Sequence, residues 1–138
     1  MVVGVWDSGD GLNLDVVLIR QLQEVWRQCA HSVDADTSVI KHVMADAEQV
    51  RLAPIMRREL ADWRPLMAAL GDAELVDLVR FFALAEAELT GWEAGKRSPA
   101  IACARELRAR GSYPSELTKW LRKHSSNRFL PYGSLLDS

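Results

Sequence analysis

Apolar residues recur at steps of three and four along nearly the whole chain, and that spacing makes helices the builders of the core. The first stripe is Leu18, Leu22, Val25 and Cys29, and the second is Ile40, Val43, Ala47 and Val50. A third runs through Met56, Leu60, Trp63, Met67 and Leu70, and a fourth through Leu75, Leu78, Phe82, Ala85 and Leu89. With 49% apolar and 26% charged residues, these stripes belong to a chain that buries a core, not to a disordered one. At 138 residues it has the size of one ordinary domain.

Punctuation divides the stripes into elements. Asn13 reads as the cap of a first helix over about 14–31. Asp34-Ala35-Asp36-Thr37-Ser38 reads as a turn, followed by a second helix that ends near Ala53 because Pro54 disfavours helical geometry before it. Pro54 opens a third helix, in which Pro65 predicts a kink near Asp62 and Trp63. Gly71-Asp72 starts the fourth helix, about 72–90, where Val79 and Phe81 widen the stripe as expected of a central helix. Residues 91–97 form a connection. Ser98-Pro99 begins a fifth helix that stops at Gly111, and Tyr113-Pro114-Ser115 begins a sixth, carrying Leu117, Trp120 and Leu121. Residues 1–12 read as a loosely ordered N-terminal arm, and 125–138 as an irregular tail with a last turn over 134–137.

The expectation is an all-α protein, a single compact orthogonal bundle of about six helices spanning 1–138 as one domain. The tryptophans at 6, 26, 63, 92 and 120 fall about one per element and read as core anchors. Cys29 and Cys103 lie on apolar stripes and read as two buried thiols. The N-terminus lacks the basic region of a secretory signal, and the longest apolar run, Phe81 to Ala85, is far short of the ~20 residues that span a bilayer. A cytoplasmic protein with no membrane partner is expected.

Charge is distributed unevenly. Residues 1–95 carry sixteen Asp and Glu against eight Lys and Arg, whereas 96–138 carry nine Lys and Arg against three acids. The overall charge of −2 conceals this split. Arg105 and Arg108 are three apart on the fifth helix, and Lys119, Arg122 and Lys123 cluster on the sixth, so a hairpin of the two would present one positive surface. Lys96 and Arg97 add charge beside the amides that open the fifth helix, and Arg128 adds charge in the tail. The leading expectation is a non-enzymatic binding protein whose basic C-terminal third contacts an anionic partner: nucleic acid, an acidic protein surface or a phosphorylated ligand. The competing reading is that acidic and basic halves neutralise each other within the fold or across a dimer.

Two further readings stay open. One is a helical adaptor or homodimer that buries an apolar face, sought around Met56, Met67 and Phe81. The other is a small-molecule or enzymatic pocket between residues 91–98 and the tail, lined by Trp92, Asn127, Arg128 and Tyr132. No catalytic residue, cofactor or metal is implied. The segment Gly91 to Ser98 has three residues between its glycines where a phosphate loop needs four, and Arg97 stands where the hydroxyl belongs. The surroundings of Gly111 do not match a helix-turn-helix, with Arg110 where an apolar residue belongs. His31, His42 and His124 lie on separate elements and read as surface or helix-end residues.

Overall fold

Sequence periodicity is realised as seven α-helices in a computed structural model that describes residues 13–30, 39–127 and 129–130. They are α1 (Val16–Cys29), α2 (Val39–Val43), α3 (Asp46–Leu52), α4 (Leu60–Ala69), α5 (Asp72–Glu88), α6 (Pro99–Arg110) and α7 (Leu117–His124), with 3-10 turns at Ala53–Arg57 and Gly95–Arg97. The fold is all-α, with no strand among the described residues. None of these helices is long and apolar enough to cross a membrane. His31, Arg128 and Tyr132, the arm 1–12 and the end of the tail lie outside the described residues.

The centre is α5. Its stripe residues Leu75, Leu78, Val79, Phe81, Phe82, Ala85 and Leu89 are all buried, as the widened stripe predicts. It packs against α1, α2, α6 and α7, while α6 also packs on α4. Phe81 and Phe82 meet edge-on at 5.3 Å, Phe82 meets Trp63 of α4 at 5.5 Å, and Phe81 meets Trp92 at 6.3 Å. Such edge-to-face pairs each contribute about 0.5–1.5 kcal/mol beyond burial. Cys29 and Cys103 are free and buried, and burial pushes both thiols well above the ordinary range.

Local chemistry departs from the expected boundaries in three places. Asp15, not Asn13, caps α1, accepting a hydrogen bond from the Leu18 amide at 3.0 Å. The second predicted helix is two helices, because the chain turns extended at Ala45. That break resets the helical phase, so Met44 and Leu52 are buried while Ala47 and Val50 face outward. The start of α2 is held from afar, by the Glu88 carboxylate accepting from the Ile40 amide at 2.8 Å.

The third predicted helix is also divided, but not at its proline. The backbone turns extended at Arg58 and Glu59, and α4 starts afresh at Leu60 with Pro65 inside it. A reciprocal capping box, Glu59 with Asp62, makes the new start favourable. Pro65 removes the single ladder bond to the Ala61 carbonyl without ending the helix.

Candidate functional site

Two regions of the C-terminal third bring together side chains with chemical potential. The first is the pair of consecutive helices α6 and α7 with the turn that joins them, the α6–α7 hairpin of the chain path. Gly111 closes α6 in the left-handed region at φ 73°, where glycine carries no Cβ penalty, and the Ser112 amide donates to the Leu107 carbonyl at 2.8 Å. Tyr113 then links the two helices: its ring lies 4.2 Å below the Arg108 guanidinium carbon, and its hydroxyl is 2.9 Å from the Thr118 hydroxyl. Along α7, Leu117 and Leu121 point inward, whereas Lys119, Arg122 and Lys123 are exposed. Thr118 and Arg122 are four apart and share a side, so the Tyr113 contact sets Arg108 beside the basic face of α7. Arg105 is exposed one turn before Arg108 on α6.

Lys96 and Arg97, the other predicted cations among the described residues, do not join this surface. They stand at the opposite end of α6, and Arg97 reaches Glu59 at 3.6 Å. Nine residues of helical rise, from Pro99 to Arg108, put about 14 Å of α6 between them and Arg108. The first turn of α6 is no open anion site either. Ser98, Pro99 and Ala100 are buried, and the Ala100 amide is capped by the Ser98 hydroxyl at 3.1 Å. Arg110 is committed inside the fold, bonding Asp72 and Glu106 at 2.9 Å and the Met67 carbonyl at 3.1 Å. Hydrogen bonds from the Ser112 hydroxyl, the larger influence, and from the Arg110 guanidinium hold the Asp72 carboxyl low.

The second region lies between the 91–98 connection and the segment after α7. Its centre is Glu86, a carboxylate only 3% exposed. The Ser98 hydroxyl donates to Oε2, while Asn127 Nδ2 donates to Oε1 at 3.0 Å and the Ala94 amide at 3.4 Å. Asn127 is fully used: its amide also donates to the Gly95 carbonyl at 2.7 Å, and its Oδ1 accepts from the Phe129 amide at 2.9 Å. Gly95 presents that carbonyl from a φ of 56°, a left-handed conformation suited to glycine. Burial pushes the Glu86 carboxyl up to about 7, against the pull of its three donors, and the nearby Glu93 charge adds to the rise. A cleft of about 190 Å³ opens here, lined by Glu86, Glu93, Gly95, Ser126, Asn127 and Phe129.

Of the expected pocket residues, Asn127 stands in this cleft and Trp92 does not. Trp92 is fully buried, its indole donating to the Gln49 carbonyl at 3.0 Å, because a ring of that size packs on Phe81 within the core. Met56, Met67 and Phe81, the place expected for an apolar docking face, are likewise buried and fill the core. Glu86 is the residue the stripe reading passed over. It follows Ala85 and stands four after Phe82, in phase with the buried face, and a carboxylate at that register is itself a signal.

A further recess of about 400 Å³ lies between α1 and α5, lined by Arg20, Gln23, Trp26, Arg27, Glu74 and Asp77. Arg20 and Gln23 both donate to Glu74, at 3.3 and 3.1 Å, so its charges are largely matched. No family model, curated protein or solved structure matches the chain at a significant level.

Proposed function

We propose that this chain is a non-enzymatic binding protein that uses the α6–α7 hairpin to engage an anionic partner, with Arg108, Lys119 and Arg122 as the principal contacts and Arg105 and Lys123 adding field. The observation that carries this reading is the outward face of α7, where the exposed positions 119, 122 and 123 are all basic. The Tyr113 link to Thr118 supports it by setting the Arg108 guanidinium on the same side. Exposed ammonium and guanidinium groups on one helix face neutralise closely spaced phosphates and release their counterions. Lys96 and Arg97 play no part in it.

Nucleic acid is the version to test first, with an acidic protein surface and a phosphorylated ligand behind it. Fluorescence anisotropy with labelled duplex and single-stranded DNA and RNA, at 50 and 200 mM salt, measures it directly. Three or four neutralised phosphates on a duplex predict that affinity falls on the order of 50- to 150-fold over that range. The double variant Lys119→Glu with Arg122→Glu abolishes binding. No binding at 50 mM salt by the unaltered protein removes the nucleic-acid version.

A further inference from the structure

Glu86 occupies a position that physical chemistry makes unstable in charge. A carboxylate withdrawn from water loses hydration that three hydrogen bonds only partly replace. Among the described residues, the groups around it do not neutralise it. From the connection, the titratable side chain lining the same cleft is Glu93, also acidic. From α6 it faces a hydroxyl, Ser98, and from the segment after α7 an amide, Asn127. Lys96 and Arg97 are exposed, and Arg57 approaches only the carbonyls of Gly91 and Glu93, at 2.8 and 3.3 Å.

The partners nevertheless suit the neutral form well. With a proton on Oε2, Glu86 donates to the Ser98 hydroxyl oxygen, which already accepts from the Ala100 amide. Oε1 continues to accept from Asn127 and Ala94. A hydroxyl can reverse its role by rotating its hydrogen, so no heavy atom has to move. With the proton gone, Ser98 donates instead, and a bare charge remains in the interior. The escape from that charge is to let in water, and the side open to it is the cleft that Ser126, Asn127 and Phe129 line.

We propose that Glu86, Ser98 and Asn127 form a protonation-sensitive latch that holds the segment after α7 against the α5–α6 connection and loosens when Glu86 ionises. Opening withdraws Asn127 from both Glu86 and the Gly95 carbonyl and uncovers the base of the cleft. This device is independent of what the α6–α7 hairpin binds.

Nuclear magnetic resonance on the full chain tests it. The side-chain carboxyl carbon of Glu86 reports its own titration, and amide exchange at Phe129 and Leu130, corrected for intrinsic base catalysis, reports opening. Both amides close on Asn127, Phe129 to its Oδ1 and Leu130 to its carbonyl at 3.1 Å. The expected result is a carboxyl midpoint near 7 and protection that falls about tenfold from pH 6 to pH 8.5 along the same curve. Glu86→Gln, whose Oε1 and Nε2 reproduce the protonated pattern, should stay protected across that range. Protection at Phe129 and Leu130 that does not change with pH in the unaltered protein overturns the proposal, whether or not the variant folds. So does a Glu86 carboxyl midpoint below 5, or a Glu86→Gln protein that follows the unaltered curve.

Discussion

The two ends of α6 are fastened by opposite physics. At its start, Ser98, Glu86 and Asn127 are buried, with one carboxylate, three neutral donors to it and no countercharge among the described residues. At its end, Arg110 holds Asp72, Glu106 and the last carbonyls of α4 in partly exposed ion pairs. Burial makes each hydrogen bond at the start strong and its loss costly, while water and salt weaken the ties at the end. A helix can thus be anchored firmly at one end and adjustably at the other.

Asn127→Ala attacks the buried end and has the largest expected effect. It leaves the Gly95 carbonyl without its side-chain donor and Glu86 Oε1 with the Ala94 amide alone, which costs about 2–4 kcal/mol in denaturant unfolding. A loss below about 1 kcal/mol breaks the contrast between the two ends.

Titration comes next. The folded Glu86 carboxyl sits near 7 against an ordinary value of 4.5, so the folded protein holds this proton more tightly than the unfolded chain. The contribution is fully present below about pH 4.5 and is lost as the pH rises to about 7, flattening above that. Between pH 5 and pH 8 the unaltered protein loses roughly 2–3 kcal/mol relative to Glu86→Gln. Parallel stability curves for the two proteins refute it.

Arg110→Ala probes the other end and gives the smallest effect. Its unfolding midpoint falls by less than half of that seen for Asn127→Ala, and 1 M salt erases much of the difference, because screening already weakens the exposed pairs. A larger, salt-independent loss places the firm anchor at the wrong end of the helix.

Much of this was readable from residue order. The Ser98-Pro99 start and Gly111 stop of α6 are local rules, and both hold in the fold. The α5 stripe holds because a helix surrounded by neighbours has little choice of face. The breaks at Ala45 and at Arg58–Glu59 were not readable, since the stripes continue across them and only packing and a capping box select the interruption. For the basic residues, spacing put Lys119, Arg122 and Lys123 on one face, but it did not place Glu59 beside Arg97 or Asp72 beside Arg110. Those pairings join residues 38 apart in the chain. Glu86 was visible as a carboxylate in an apolar register, while its partner Asn127, 41 residues later, was not.

Asn127 also turns the short link after α7 into a ruler. Only Ser125 and Ser126 separate the end of α7 at His124 from an amide that must reach Glu86 at 3.0 Å and Gly95 at 2.7 Å simultaneously. One inserted residue adds up to about 3.5 Å of chain, more than a hydrogen bond tolerates. This loop, half open to solvent, therefore has a length as constrained as that of a helix turn in the core.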